Sequence, residues 1–229
     1  MTDYFNTNIS YRIIIAQIIF LIVPINCFAQ SNWDIYTFGK ICSLRIPPTM
    51  ELRDPDSRSG YFINHNRDKT IINYFGKSLS DETIVFQQKG LNSDNQEIIR
   101  KSSQHYARVM IDDVKQNELT QNDIYKMTSR EILFLDKSWK DECMKQFYII
   151  FPKSAKFIWY PLKRQKIGGK YVLVSYYRRE GLGGTMVNVH EYKFFFLNHL
   201  LRITISYRES EEHLWKSDFS KIIQTLSFN

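Results

Sequence analysis

The sequence lacks any run of apolar residues long enough to cross a membrane. Its longest apolar stretch, Ile13–Ile25, contains Gln17 and is closed by Pro24, whereas a membrane-spanning helix needs roughly 20 consecutive apolar residues. Arg12 stands in front of this stretch, and Cys27-Phe28-Ala29 places small residues at two positions behind it. A basic residue, a short apolar core and a small-x-small site form, in that order, a secretory signal peptide.

We therefore expect residues 1–29 to be a signal peptide that is cleaved between Ala29 and Gln30, and residues 30–229 to form a single exported domain. That domain would be periplasmic or secreted. Two alternatives remain open. An uncleaved anchor would need a longer apolar run, and a lipid anchor at Cys27 would need a smaller residue in front of it than the bulky, polar Asn26.

Blocks of like charge are also absent, although the chain is basic overall. It has 31 Lys and Arg against 24 Asp and Glu, with a net charge of +7 and a pI near 9.2. A positive chain can contact anionic surfaces such as lipid headgroups, acidic polysaccharide or nucleic acid. The even spread of its basic residues favours a charge that serves solubility alone, and it predicts no specific nucleic-acid partner. The 43% hydrophobic content argues against disorder and is ample for one folded core.

The motifs of common catalytic and nucleotide sites are missing as well. In "GLGGTMVNVH", Met186 stands where a dinucleotide fingerprint needs its third glycine, and in "GGKY", Tyr171 replaces the Ser or Thr of a P-loop. None of the five histidines lies in a zinc motif, and no G-x-S-x-G sequence occurs. We therefore predict no catalytic residue, cofactor or metal ligand. An enzyme whose site is assembled from distant residues remains the alternative.

Cysteine is scarce, and two of the three cysteines would remain after signal cleavage. Cys42 shares one face of an alternating strand with Leu44 and Ile46, and Cys143 lies on the apolar stripe of a helix. Both thiols are therefore expected to point inward. An even number of cysteines in an exported chain makes a Cys42–Cys143 disulfide plausible, and two separate buried thiols fit the same pattern.

One long helix is the clearest local prediction, over Thr120–Phe147. Thr120 and Asp123 resemble a capping box, and apolar residues then recur at steps of three and four, which places them on one helix face. These residues are Ile132, Leu135, Trp139, Cys143 and Phe147. Such a stripe is typical of a helix that packs on a protein core.

The remaining elements predict an antiparallel sheet with a closing helix. Ser210 is the predicted N-cap of that helix, and Glu211 and Glu212 favour its first turn. Turn residues separate the last four strands into a meander: glycines lie in the first two connections and Asn198-His199 in the third. The predicted strands are Thr83–Lys89, Tyr106–Asp112, Lys156–Leu162, Lys170–Arg179, Met186–Leu197 and Leu200–Arg208. The fold class is therefore α+β, with a sheet packed by a long central helix and a C-terminal helix.

The short opening strand "SLRIP", the antiparallel sheet and the closing helix "FSKIIQTLSF", which ends in an aromatic residue, together resemble the PsbP-like α/β/α sandwich. The resemblance spans roughly Cys42 to Phe228. It implies an exported or lumenal accessory or assembly factor, with an unidentified protein or envelope component as its partner, rather than an enzyme. It assigns no binding residue to any position of this sequence.

The last candidate site is a basic cluster in "PLKRQKIGGKY" and "SYYRRE". Interleaved tyrosines and cations on neighbouring strands can bind anionic polymers or lipid surfaces. The competing interpretation is a solvated sheet edge that charged side chains protect from pairing with another chain. The residues are Lys163, Arg164, Lys166, Lys170, Arg178 and Arg179.

Overall fold

The computed structural model describes residues 32–38, 41–53, 71–73, 83–115, 119–196 and 199–228. The predicted signal peptide (1–29) lies outside these described residues. No helix within the described ranges is both long enough and apolar enough to cross a membrane.

The described residues form eleven strands and four α-helices. The strands are β1 (Asp34–Phe38), β2 (Cys42–Ile46), β3 (Met50–Leu52), β4 (Ile71–Asn73), β5 (Ile84–Gln88), β6 (Ala107–Lys115), β7 (Phe157–Ile167), β8 (Lys170–Glu180), β9 (Met186–Phe196), β10 (His199–Arg208) and β11 (Ser227–Phe228). The helices are α1 (Gln96–Ser102), α2 (Gln121–Lys126), α3 (Ser129–Ile150) and α4 (Glu212–Gln224).

Two sheets organise these elements. The larger sheet has the strand order β3-β5-β6-β10-β9-β8-β7, and all of its neighbouring strands run antiparallel. The smaller sheet has the order β11-β2-β1-β4, in which β1 and β4 are parallel. The C-terminal meander predicted from the turn residues is therefore the β7–β10 part of the larger sheet.

The larger sheet separates two apolar clusters. On one face, the smaller sheet and α4 enclose the main core, which includes Phe38, Leu44, Ile203 and Phe219. On the other face, α2 and α3 cover a smaller cluster around Leu173 and Phe195. The molecule is thus an α+β sandwich in which an antiparallel sheet carries a long helix on one side and the C-terminal helix on the other.

The predicted single helix Thr120–Phe147 is in fact two helices, which is a correction. The chain leaves the helical conformation at Met127 (φ −56°, ψ 127°), and Thr128 begins α3 with extended backbone angles. Thr128 Oγ1 accepts from the Glu131 amide at 3.3 Å, and the Glu131 carboxylate accepts from the Thr128 amide at 2.7 Å. This second capping box, T-x-x-E, starts a new helix at a point where the apolar stripe alone predicts continuity.

Side-chain hydrogen bonds attach both helices to the larger sheet. The Gln121 amide group donates to the carbonyls of Tyr171 and Phe195 and accepts from the Tyr171 amide, at 2.7–3.0 Å. The Asp136 carboxylate accepts from the Leu162 amide at 2.7 Å and from Trp159 Nε1 at 2.8 Å. Since the β7–β8 register shifts between Tyr160 and Lys163, Asp136 satisfies a backbone donor that this irregularity leaves available.

The start of the C-terminal helix also differs from the prediction. Ser210 lies within a 3₁₀ turn, Glu209–Glu211, and α4 begins at Glu212 without a side-chain cap. Glu211 anchors this junction instead, because its Oε2 accepts from the Tyr106 amide at 3.0 Å and from Trp215 Nε1 at 3.1 Å. A long-range contact to the sheet therefore replaces the local cap.

A candidate binding cleft between the long helix and the sheet

Helix α3 does not close tightly onto the larger sheet near its C-terminal end. Between the helix and the sheet lies a cleft of about 510 Å³, called the α3 cleft here. Its helix side is formed by Trp139, Cys143, Phe147, Ile150 and Phe151, with Glu142 and Gln146 beside them. Its sheet side is formed by Phe157, Tyr177, Arg179, Glu191, Lys193 and Arg202.

The periods of helix and strand explain why these residues meet. Trp139, Cys143 and Phe147 recur every four residues, so they share one helix face. Tyr177 and Arg179 are two apart on β8, and Glu191 and Lys193 are two apart on β9, so each pair points to the same side of the sheet. The helix stripe that the sequence predicts as core is therefore in part the wall of a cleft.

Stacked aromatic rings line the apolar side of the α3 cleft. The ring of Phe147 lies 4.7 Å from that of Phe151 and 5.4 Å from that of Phe157, measured between centroids. Phe157 in turn stacks on Tyr177 at 5.2 Å. Phe147 is the one buried residue of α3 among those described, so these contacts fix the C-terminal end of the helix over the sheet.

The base of the cleft holds a buried ion pair. Lys193 Nζ lies 2.7 Å from Glu191 Oε2 and 3.3 Å from Ser175 Oγ, and it sits 4.0 Å from the centre of the Trp139 ring. Burial disfavours the ionised carboxylate of Glu191, but Lys193, Arg202 and the hydrogen bond from the Tyr177 hydroxyl outweigh that effect and lower its pKa. Glu191 is thus held ionised, and Lys193 is its ion-pair partner.

The two arginines of the cleft differ in their partners. Arg202 Nε donates to the Asp112 carboxylate at 3.0 Å, so its charge is balanced. Arg179 makes a 3.4 Å hydrogen bond to the backbone carbonyl of Glu180 and forms no ion pair with any acidic side chain of the described residues. The α3 cleft therefore combines apolar walls with Arg179, a cation without an ion-pair partner among the described residues, and with Glu142, whose carboxylate accepts from Gln146 and likewise forms no ion pair there.

The nucleophilic side chains of the cleft are unsuited to covalent chemistry. Burial raises the pKa of Cys143 to about 11, with a smaller contribution from Glu191, so its thiol is protonated at neutral pH and a poor nucleophile. Ser175, which contacts Lys193 below the cleft, is fully buried, and Lys193 is engaged in the ion pair with Glu191. Within the described ranges, no three His, Cys, Asp or Glu side chains come together as a metal site.

Of the two alternatives left open for Cys42 and Cys143, the structure shows two separate thiols, and the possible Cys42–Cys143 disulfide is not formed. Both residues are free cysteines. Cys42 lies in the main core, whereas Cys143 lines the α3 cleft on the opposite side of the larger sheet. Both thiols do point inward as their sequence positions predict, but into two compartments that the sheet separates.

The six predicted basic residues do not share one face. Paired positions on β7 and β8 place Lys163, Lys170 and Arg178 on the side of the sheet that carries α4, and place Arg164, Lys166 and Arg179 on the side of α2 and α3. Arg164 donates to the carbonyls of Ile124, Tyr125 and Met127, at 2.7–3.0 Å. Lys166 lies over the Tyr171 ring, and Arg178 pairs with Glu209. Lys163, Arg164 and Lys166 lie on β7, which is an edge strand, so these three positions suit the edge-protection interpretation.

Sequence reasoning selected Arg179 but missed the other polar residues of the cleft. Glu191 and Lys193 stand in "VNVHEYKFFF", an otherwise apolar strand. Two opposite charges at i and i+2 lie on the same face of a strand, and charged residues in a mostly apolar strand are rarely buried unless they are paired. This spacing was the available signal for a buried ion pair.

No protein-family model and no curated protein matches the chain. Among solved structures, it is similar to a protein from Bacteroides thetaiotaomicron VPI-5482 determined at 1.50 Å, with 11% identity, a TM-score of 0.40 and coverage of 84% of this chain. That match covers 49% of the other chain, so this chain spans about half the length of the Bacteroides protein.

Two further solved structures are similar over most of both chains. One is LpqN, involved in cell envelope biogenesis of Mycobacterium tuberculosis, with 7% identity, a TM-score of 0.44 and coverage of 84% of this chain and 86% of LpqN. The other is the cyanobacterial PsbP, CyanoP, from Synechocystis sp. PCC 6803, with 12% identity, a TM-score of 0.42 and coverage of 82% and 86%. No functional residue is transferred from these structures to this chain.

Proposed function

We propose that this chain is an exported, non-catalytic binding domain whose α3 cleft holds a small amphiphile with an anionic head. The observation that carries the proposal is the combination of apolar walls with the unbalanced charge of Arg179. The cleft volume of about 510 Å³ is within the range of small-molecule sites, roughly 300–1,000 Å³.

The cleft offers separate surroundings for the two parts of such a ligand. Phe147, Phe151 and Phe157 provide stacked apolar surface for a hydrocarbon tail. The guanidinium of Arg179 provides several N–H donors for a carboxylate or phosphate head, which it can bind in a bidentate manner. Because Lys193 and Arg202 already have carboxylate partners, Arg179 is the favoured anchor.

A binding role agrees with the chemistry of the cleft better than catalysis does. Burial and the Glu191 charge raise the pKa of Tyr177 well above its usual value, so Tyr177 and Cys143 are both neutral at pH 7. Glu191 is held in its ionised form by Lys193. The pKa values of Cys143, Tyr177 and Glu191 are therefore displaced away from neutral pH, which suits a binding floor better than proton exchange by these three groups.

Export is supported by the order of charged, apolar and small residues within residues 1–29. In the periplasm or outside the cell, such a domain would act as an accessory factor that carries or presents its ligand. Its partner would be an unidentified protein or envelope component.

Calorimetric titration of the exported chain with dodecanoate and with dodecanol tests this proposal. Dodecanoate is expected to bind, and Arg179→Gln should weaken its binding about tenfold or more, since a hydrogen bond to a charged group contributes about 1.5–3 kcal/mol. Dodecanol, which shares the tail but lacks the charge, should bind equally to both proteins.

A filled cleft provides the second arm of this experiment. Cys143→Phe places a ring in the cleft and should abolish binding of both compounds, whereas Ser138→Phe adds the same ring on the exposed side of α3 and should not. Dodecanoate that does not bind, or that binds equally well to the Cys143→Phe variant, would refute the proposed site.

A further inference from the structure

The connection from α3 to β7 forms an exposed apolar tip, called the α3–β7 tip here and defined by Ile149, Ile150, Lys153 and Lys156. Ile149 and Ile150 are 70% and 76% exposed. Single exposed apolar residues are common on protein surfaces, but two adjacent isoleucines at the end of a helix place their apolar area at one point. Ile158, at the beginning of β7, is also exposed.

Positive charge surrounds this apolar tip without acidic residues in the same segment. From Cys143 to Trp159 the chain contains three lysines and no Asp or Glu. Lys153 and Lys156 are exposed, and neither forms an ion pair with any acidic side chain of the described residues. Glu180 lies nearby, where its carboxylate accepts from the Lys156 amide at 3.1 Å.

We infer that the α3–β7 tip docks on an anionic lipid bilayer. Exposed isoleucines can enter the boundary between headgroups and acyl chains, and lysines beside them attract anionic headgroups. Charge complementarity favours this occupant over a second copy of the chain, because a copy docked on the same tip would bring its own lysines against Lys153 and Lys156.

The other end of α3 lacks this combination. Leu133 and Phe134 are similarly exposed there, but their nearest charged neighbours in the sequence are of both signs, namely Arg130, Glu131, Asp136 and Lys137. The lysine-flanked tip is therefore the part of the helix with the charge that an anionic bilayer attracts.

The tip is continuous with the α3 cleft, because Ile150 of the tip also lines the cleft, as does the adjacent Phe151. Docking would bring the mouth of the cleft to the lipid surface, where an amphiphile could enter without crossing water. The inference nevertheless stands on the exposed tip and its lysines, so it does not depend on the cleft having a ligand.

Co-sedimentation with vesicles tests the inference. The exported chain should bind vesicles of mixed phosphatidylcholine and phosphatidylglycerol, and bind vesicles of phosphatidylcholine alone at least tenfold more weakly. The variant Ile149→Ser and the double variant Lys153→Glu with Lys156→Glu should each reduce binding to the mixed vesicles at least fivefold. Ile150 is left unchanged because it also lines the cleft.

Matched controls at the other end of α3 separate the tip from the rest of the helix. Leu133→Ser, and Arg130→Glu combined with Lys137→Glu, make the same changes at exposed positions and should leave vesicle binding unchanged. Equal losses in tip and control variants would overturn the inference, as would equal binding to both kinds of vesicle.

The experiments can refute the proposed function and this inference independently of each other. Arg179→Gln and Cys143→Phe should retain vesicle binding, and the tip variants should retain dodecanoate binding in solution. Loss of vesicle binding in the Cys143→Phe variant, with the tip variants unaffected, would show that lipid binds through the cleft and would overturn docking at the tip.

Discussion

Arg178 and Arg179 are adjacent in the chain but lie in different surroundings. Arg178 pairs with Glu209 on the side of the sheet that carries α4, and Arg179 lines the α3 cleft. Since neighbouring residues of a strand point to opposite faces, one arginine is neutralised by a partner and the other stays available for an anionic ligand. At the scale of single residues, strand alternation therefore decides which of the two arginines pairs with Glu209 and which one lines the cleft.

His190 is the residue from which we expect a measurable pH dependence. It stacks between Tyr176, at 4.4 Å, and Tyr207, at 6.4 Å. Burial lowers its pKa from 6.5 to about 4, while Glu212 and Lys216 have smaller and opposite effects. Between these two values the unfolded chain binds a proton that the folded protein excludes. The contribution to stability is therefore complete above about pH 6.5 and is lost as the pH falls to about 4.

The size of this contribution is roughly 3 kcal/mol at most, and urea denaturation at several pH values measures it. His190→Phe keeps an aromatic ring in the stack and removes the titrating group. The free energy of unfolding of the natural protein should fall more steeply than that of the variant between pH 6.5 and 4. Parallel curves for the two proteins would contradict a buried neutral histidine.

At the scale of elements, the break between α2 and α3 sets the position of the cleft. Thr128 restarts the helix, and the Asp136 carboxylate then ties α3 to β7. Gln121 fixes where the first helix starts on the sheet. A helix that continued from there without a break would keep its initial direction, and it would not lie along β7. The reoriented second helix carries Trp139 and Cys143 over Lys193.

Removal of the Thr128 cap should destabilise the protein measurably. Thr128→Ala deletes the hydroxyl that accepts from the Glu131 amide, and the expected cost is about 1 kcal/mol in the free energy of unfolding. Thermal or urea denaturation measures the change. Ser138→Ala, at an exposed position inside the same helix, is the control and should be neutral or slightly stabilising, because alanine is the better helix former. Equal stability of Thr128→Ala and the natural protein would argue against a second helix start.

At the scale of the whole molecule, the larger sheet acts as a partition. The main core and Cys42 lie on one side of it, and the α3 cleft and Cys143 lie on the other. Burial raises the pKa of Cys42 to about 12 and that of Cys143 to about 11, so both thiols are also slow to react in the folded state.

Alkylation followed by peptide mass spectrometry tests this separation. In the folded protein, iodoacetamide should modify Cys143 slowly and leave Cys42, which is fully buried, unmodified. After unfolding in urea without a reducing agent, both should be modified completely. A cross-linked peptide that joins Cys42 to Cys143 would show that the partition is wrong.

The patterns that were predicted correctly are those with a local physical cause. Alternation places Leu201, Ile203 and Ile205 in the core, because a strand with one covered face must segregate its apolar residues. The stripe from Ile132 to Phe147 faces the sheet for the equivalent reason in a helix. Thr120 and Asp123 form the predicted capping box. These features need only neighbours within a few positions of the chain.

The patterns that were missed depend on residues far apart in the sequence. Nothing local to Glu211 shows that it will accept from the Tyr106 amide, 105 positions away. Nothing local to Cys42 and Cys143 shows on which side of the sheet each will lie. The T-x-x-E signal at Thr128 was local, but the strong apolar stripe on both sides of it favoured a continuous helix.

The sequence by itself therefore determined the α+β class, the antiparallel meander and the inward-facing positions, because hydrophobic period and turn chemistry act over short distances. Only the tertiary structure decided that the helix stripe would leave a cleft, that Lys193 and Arg202 would find carboxylate partners, and that Arg179 would not. A cleft and an unbalanced charge are properties of how surfaces meet. They depend on packing between elements, and local sequence patterns carry no information about that packing.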